Sequence, residues 1–329
     1  MSARLTEIRV FPVKSTAGRP LDSVEVEPLG LTGDRRWMIV DETGRFIGQR
    51  ERPELARVTA RLVDGGVEAY VDGMEPLAVK EPRPSALVPV RVWSGELQAV
   101  EAAEEAHEWF SEYLSARVRL VWLDDPYRRP PDEEYGVRSA FTDAFPLLLT
   151  TEASLDALND WLVEAGEEPV PMNRFRPNVV IAGSEPWAED AWVSLRFSDG
   201  PELRCAKPCK RCVVTTTDQW TGERRGREPL RTLARRRRFG PEAPAGRGDE
   251  DGTSDGEASG GVTRTDGTAP RGGAPARRAS GVRAFGGLAR TDGAGAVFGM
   301  NLAPVDAGGA GVCGTLSVGA TVEPVARTS

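Results

Sequence analysis

The residues best equipped for chemistry are three cysteines within eight positions, Cys205, Cys209 and Cys212, with Cys313 far downstream. C-x3-C-x2-C is the spacing that radical S-adenosylmethionine enzymes use to hold an iron–sulfur cluster. Those enzymes place it early in a βα barrel, and too little chain follows Cys212 to build one. A zinc site could use Cys209 and Cys212 as a knuckle, with Cys205 and Cys313 completing four thiolates. The plainer alternative, favoured for those last two, is that Cys205 and Cys313 are small buried hydrophobes. Cys212 differs because Lys207, Lys210 and Arg211 precede it. Positive charge favours the thiolate, which is both nucleophile and soft metal ligand. An inert cysteine beside a solvated basic turn fits that segment alone equally well. Residues 213–217 form a β-branched run expected to be a strand, which would hold Cys212 rigidly at its mouth. Cys209, between Pro208 and Lys210, is expected in the turn before it.

Other cations change the balance. Lys14-Ser15 follows a first apolar strand, Gly33-Asp34-Arg35-Arg36-Trp37 opens another, and Asn173-Arg174-Phe175-Arg176-Pro177-Asn178 precedes a third. Each puts Arg or Lys at a loop-to-strand junction, where a sheet can aim it at one site. Guanidinium groups suit phosphate and fused-ring ligands. The formal net charge is −8, so such a cluster would be a focused anion site, and the charge argues against a nucleic-acid partner held mainly by net charge. Only four of the 42 basic residues are Lys, which makes each one worth noting. The single histidine, His107, lies among Glu104, Glu105 and Glu108 and is expected to be solvated; two-His metal sites and His relays are excluded. No apolar run approaches the ~18 residues of a membrane span. The opening lacks the basic-then-apolar layout of a secretory signal. These features lead to the expectation of a soluble, cytoplasmic protein in a reducing compartment.

The elements that must position these residues read as mainly β with some helix. Residues 1–95 alternate short strands (5–10, 37–41, 67–71, 88–93) with Gly and Pro turns, which suggests a barrel or sandwich. A change to helical spacing marks an amphipathic helix over 101–116. A strand at 118–123 and a polar loop over 124–143 complete a connection spanning 96–146. From 147 a strand precedes a helix closed by Gly166. Strands are expected at 178–182, 193–197, 203–206, 297–305 and 315–325, with a helix near Glu228-Pro229. Residues 241–290 hold too few apolar side chains to offset ordering entropy and are expected to be a disordered, dispensable insertion within a domain running from 147 to 325.

Six segments together resemble the MOSC family of molybdenum-cofactor proteins, especially its amidoxime-reducing branch. They are FPVKS (11–15), LTGDRRWMIVD (31–41), LLLTTEASLDALN (147–159), NRFRPNVVIAG (173–183), CKRCVVTTTDQWTGERRGREPLRTL (209–233) and VFGMNL (297–302). The resemblance implies an α+β fold: an N-terminal β-barrel-like domain packed on a MOSC β-barrel core with peripheral helices. The cofactor would lie in the cleft between them. It implies Cys212 as the molybdenum ligand, with Lys14, Ser15 and Arg35 on the pterin phosphate and nearby polar groups. Thr151, Arg176, Asn178, Lys210 and Arg211 would line the same pocket. Asn301 stands where the family's reductases often carry Tyr. Asp218 is placed where a carboxylate could deliver protons, an inference of ours. The implied activity is reduction of N-hydroxylated compounds at molybdenum, with a separate electron-donor protein as partner and neither nucleic acid nor membrane. A carrier of the cofactor without turnover is the alternative. At family level the resemblance also brings a pyridoxal phosphate label.

Overall fold

A computed structural model describes residues 2–83, 86–132, 134–239, 295–305 and 311–327. The expected insertion at 241–290 lies outside these residues.

Seven strands close into a barrel. Around it run Leu147–Thr151, Val179–Ala182, Ala3–Val10, Thr321–Ala326, Trp192–Phe197, Glu202–Lys210 and Gly295–Pro304, which pairs back onto Leu147–Thr151. Only the first two are parallel. Parallel neighbours need a crossover, and the helix Glu152–Glu164 supplies it. Side chains alternate across each strand, so Leu5, Ile8, Leu149, Ile181, Leu203 and Leu302 fill the interior. The first strand of the chain, Ala3–Val10, is one of these seven, so it shares a sheet with strands of residues 147–325.

A second body of sheet lies outside the barrel. Trp37–Val40, Arg119–Trp122, Gly95–Glu101 and Leu87–Val92 form four antiparallel strands. Thr59–Val63, Gly66–Tyr70 and Leu77–Lys80 form three more. The helix Glu104–Leu114 packs Ala106, Phe110 and Leu114 into a core with Leu55, Val67 and Leu120.

Three expectations are corrected. Residues 213–217 are not a strand: Val213–Thr216 is one 3-10 turn and the strand before it runs on to Lys210. Thr215 and Thr216 turn their hydroxyls back to the Cys212 and Val213 carbonyls, at 3.0 and 2.8 Å. Local bonds of this kind compete with a sheet ladder and override β propensity. The segment 315–325 breaks at Gly319 into Gly314–Ser317 and Thr321–Ala326. His107 is buried, not solvated. His107, Phe110 and Leu114 are spaced three and four apart, which puts the imidazole on the packed stripe, where its Nδ1 accepts from Leu120 N–H at 3.0 Å.

Burial lowers the pKa of His107 below the ordinary 6.5, with Glu104 and Glu101 opposing. A value depressed in the folded state means that its stabilising contribution is complete above about pH 6.5 and is lost as pH falls below that point. As the sole histidine, it should give one titrating imidazole signal by NMR with a midpoint below 6.5. A midpoint at or above 6.5 would contradict the buried placement.

Candidate functional site

A cavity of about 320 Å³ opens where the barrel faces the outer sheet. Its barrel wall lies at the closing seam. There Leu148 pairs with Asn301, between the core pairs Leu147–Leu302 and Leu149–Met300. Opposite stand Phe46, Gln49, Arg50 and Trp93. Lys14, Ser15, Arg35, Arg176, Asn178, Lys210, Arg211, Cys212 and Asn301 all line it. Nine of the residues expected from sequence therefore converge.

Phe11 organises the cationic wall. The Arg35 guanidinium carbon lies 4.4 Å from its ring centroid and that of Arg176 lies 4.3 Å away. A Cβ on Gly18 would meet the Phe11 ring at 2.5 Å, so this position must be glycine for the ring to sit there. Arg35 pairs with Asp34 and donates to Asn178 Oδ1 at 2.9 Å. Asp34 is fixed in turn by the Phe11 N–H at 2.8 Å. Asn178 accepts from Leu148 N–H and donates to the Arg9 carbonyl, tying three barrel strands together at this point.

Arg176 has no ion pair among the described residues; its hydrogen bond runs to Gln219 Oε1 at 3.3 Å. Burial and the neighbouring Arg35 pull it down to about 9, with Asp34 and Asp143 opposing. Burial likewise pulls the Lys14 ammonium below its ordinary value, although Asp143 accepts from its Nζ at 2.5 Å. The wall thus holds positive charge that the protein itself does not fully balance. Among the described residues, two buried atoms here have no partner, Thr142 Oγ1 and Arg211 Nε. Four of the six non-glycine residues with positive φ among the described residues also line the cavity: Ser15, Arg35, Trp93 and Arg176. Such backbone strain runs on the order of 1–3 kcal/mol per residue and clusters at ligand-holding sites.

The cysteines divide. Cys209 lies in the strand Glu202–Lys210, and its sulfur accepts from Arg211 Nη1 at 3.0 Å. Cys212 caps the 3-10 turn, and among the described residues its thiol makes no hydrogen bond. The argument that the sheet holds Cys212 while Cys209 sits in a turn is therefore reversed. What distinguishes Cys212 is a thiol left unengaged in the cavity. Cys205 is a buried hydrophobe, its thiol pushed up to about 12 by burial, with Glu189 adding to the effect. Cys313 packs partly buried against the same core. No three His, Cys, Asp or Glu side chains gather as metal ligands among the described residues.

Two expected site residues stand elsewhere. Thr151 is fully buried at the N-cap of the helix Glu152–Glu164, where its hydroxyl accepts from Ser154 N–H at 3.2 Å. Asp218 braces a loop: it accepts from Arg174 at 3.2 Å and from the N–H groups of Trp220 and Thr221, both at 3.0 Å. Neither lines the cavity, so Asp218 has no geometric support as a proton donor there. Sequence reasoning misses Asp143, Phe46, Trp93, Gln49 and Arg50, since none belongs to a motif with a chemical signature. Paired amides of Gln49 and Gln219, at 3.0 and 3.1 Å, join the cavity's two sides.

The amino-acid sequence matches two family descriptions, the MOSC N-terminal beta barrel domain over residues 2–117 and the MOSC domain over residues 137–252. The chain belongs to the MOSC family. It is 33% identical to mitochondrial amidoxime reducing component 2 of Rattus norvegicus, over 70% of this chain and 71% of that one. It is 32% identical to mitochondrial amidoxime-reducing component 1 of Homo sapiens, over 72% and 73%. The Xenopus laevis component 1 is 31% identical over 70% of both chains. These relatives are named as mitochondrial, which overturns the expected cytoplasmic location. Neither the family descriptions nor these names support the pyridoxal phosphate label. Among the described residues, no helix is long and apolar enough to cross a membrane.

The placement of Thr151 has a measurable consequence. Thr151→Ala should lower unfolding stability by about 1 kcal/mol through loss of the cap, without changing what the cavity binds. Denaturant melts paired with cofactor content check this; lost cofactor at unchanged stability would reverse the assignment.

Proposed function

We propose that this chain is a molybdenum-cofactor oxidoreductase that reduces N-hydroxylated compounds such as amidoximes and hydroxylamines. The observation that carries this reading is one cavity whose seven lining cations, Lys14, Arg35, Arg176, Lys210 and Arg211 among them, face a single lining carboxylate among the described residues, together with the Cys212 thiol. It is supported by relatives named amidoxime reducing components.

The residues present fit a phosphate-bearing pterin. Among the described residues Arg176 has no ion pair, and Thr142 Oγ1 and Arg211 Nε, without partners there, offer polar contacts. In this reading Cys212 ligates molybdenum. Lys14, Ser15, Arg35, Arg176, Asn178, Lys210, Arg211 and Asn301 hold the phosphate and polar edges. When bound, the cofactor supplies two-electron oxygen-atom transfer, which side chains alone lack. Asn178 fixes the Arg35 fork at 2.9 Å, so the anion meets a donor that needs no reorganisation. Arg211 donates to the Phe175 carbonyl at 2.7 Å and to the Cys209 sulfur at 3.0 Å, which engages the Cys209 thiol and sets the chain entering Cys212. Phe46, Trp93 and Phe145 give an apolar wall that limits water. Overall, an N-hydroxyl group takes up two electrons and two protons and leaves as water.

Turnover of benzamidoxime to benzamidine with a chemical reductant tests the reading. Wild-type protein from a host that makes the cofactor should turn over, Cys212→Ala should be inactive, and Cys209→Ala should keep most activity. An active Cys212→Ala with an inactive Cys209→Ala would overturn the ligand assignment. Molybdenum without any turnover would mark a cofactor carrier.

A further inference from the structure

Among the described residues, Asp143 is the one carboxylate lining a cavity that seven Lys and Arg side chains also line. It comes from the polar loop before the barrel's seam strand and belongs to none of the roles above. Its two oxygens are used unequally. Oδ1 accepts from Lys14 Nζ at 2.5 Å and from Trp93 Nε1 at 3.2 Å. These donors fill both acceptor directions of that oxygen and fix the plane of the carboxylate. Oδ2 accepts no hydrogen bond among the described residues, and 64% of the Asp143 side-chain surface is exposed. The cavity walls partly desolvate this carboxyl and would push it up, but Lys14, then Trp93 and Arg35, hold it down at about 2. It is therefore an anion throughout the physiological range. Trp93, set edge-on to Phe46 at 4.8 Å, stands beside it as a flat apolar wall.

A phosphate or carbonyl oxygen at Oδ2 would meet a like charge or a second acceptor. What a fixed, ionised oxygen beside an aromatic wall recognises is a planar group with N–H donors. We propose that Asp143 Oδ2 is a binding subsite for the amino-bearing N–C–N edge of a planar ligand. Two ligands in the proposed reaction carry that edge: the aminopyrimidinone of the pterin, and the amidoxime or amidine of substrate and product. The inference rests on the proposed function for those two candidates, while the subsite itself rests on the geometry.

Asp143→Asn isolates the claim, because its amide oxygen can still receive Lys14 and Trp93 while an NH₂ donor replaces the Oδ2 acceptor. Two ligand pairs read the effect as ratios. On the full chain prepared without cofactor, pterin is compared with lumazine, which has an oxo group in place of the amino group. On the cofactor-loaded protein, benzamidine is compared with methyl benzoate, which has no N–H. Wild type should favour the amino-bearing member of at least one pair by about tenfold, as expected for hydrogen bonds to a charged acceptor. Asp143→Asn should lose that preference, and Asp143→Glu should recover part of it. A pterin preference assigns the subsite to the cofactor, and a benzamidine preference assigns it to the substrate. Equal affinities within both pairs in wild type would overturn the proposal, whatever the variant's folding. So would a preference that survives in Asp143→Asn, or a variant that weakens both members alike. Failure of the oxidoreductase reading appears separately, as wild type that shows these ratios yet leaves benzamidoxime unreduced.

Discussion

Two guanidinium groups over one phenyl ring set the terms for the rest of this structure. Arg35 and Arg176 approach Phe11 at 4.4 and 4.3 Å, and only Arg35 has a carboxylate partner among the described residues. A cation–π contact contributes about 0.5–2 kcal/mol, enough to hold each side chain in place but not to neutralise it. Keeping both in place requires Gly18 behind the ring, Asp34 bonded to the Phe11 N–H, and Asn178 on the Arg35 fork. It also requires left-handed backbone at Arg35 and Arg176. Strain and uncompensated charge at one place are what a site looks like when its ligand completes the electrostatics.

The barrel supplies the stiffness that this arrangement needs. Asn178 precedes the barrel strand Val179–Ala182 and accepts from Leu148 on a seam strand, and Asn301 lies on the strand that closes the ring. The outer sheet is coupled to this frame by the Gln49–Gln219 amide pair, whose Gln219 oxygen also receives Arg176. Arg224 adds bonds to the Gln49 and Arg50 carbonyls. A cavity between two sheets can thus hold its walls in fixed relation.

Much of this is legible in the amino-acid sequence. Period-two apolar runs mark most barrel strands. Cations at strand mouths point to one place, and nine of the residues named from sequence line one cavity. The failures have separate physical causes. Thr151 is a pocket residue only by the family resemblance; a hydroxyl at a helix start can equally cap the helix, and the fold shows it turned to Ser154. Residues 213–217 read as a strand because β-branching is visible and back-bonding hydroxyls are not. The strand Gly95–Glu101 lies hidden between a turn signal and a helix. His107 reads as solvated from its charged neighbours in sequence, whereas its helical neighbours three and seven residues on decide its burial. Asp143 is invisible, since a single carboxylate in a loop acquires meaning only from Lys14 and Trp93, which approach it from distant segments.

The central claim is that the cations around Phe11 exist to hold an anionic molybdenum cofactor. Molybdenum per chain, measured by elemental analysis on wild type and on Arg35→Ala and Arg176→Ala after extensive dialysis, tests it most directly. The account predicts about one molybdenum in wild type and a marked loss in both variants, because a charge-assisted contact to phosphate is removed. Zinc in place of molybdenum in wild type, or full molybdenum in both variants, would contradict it.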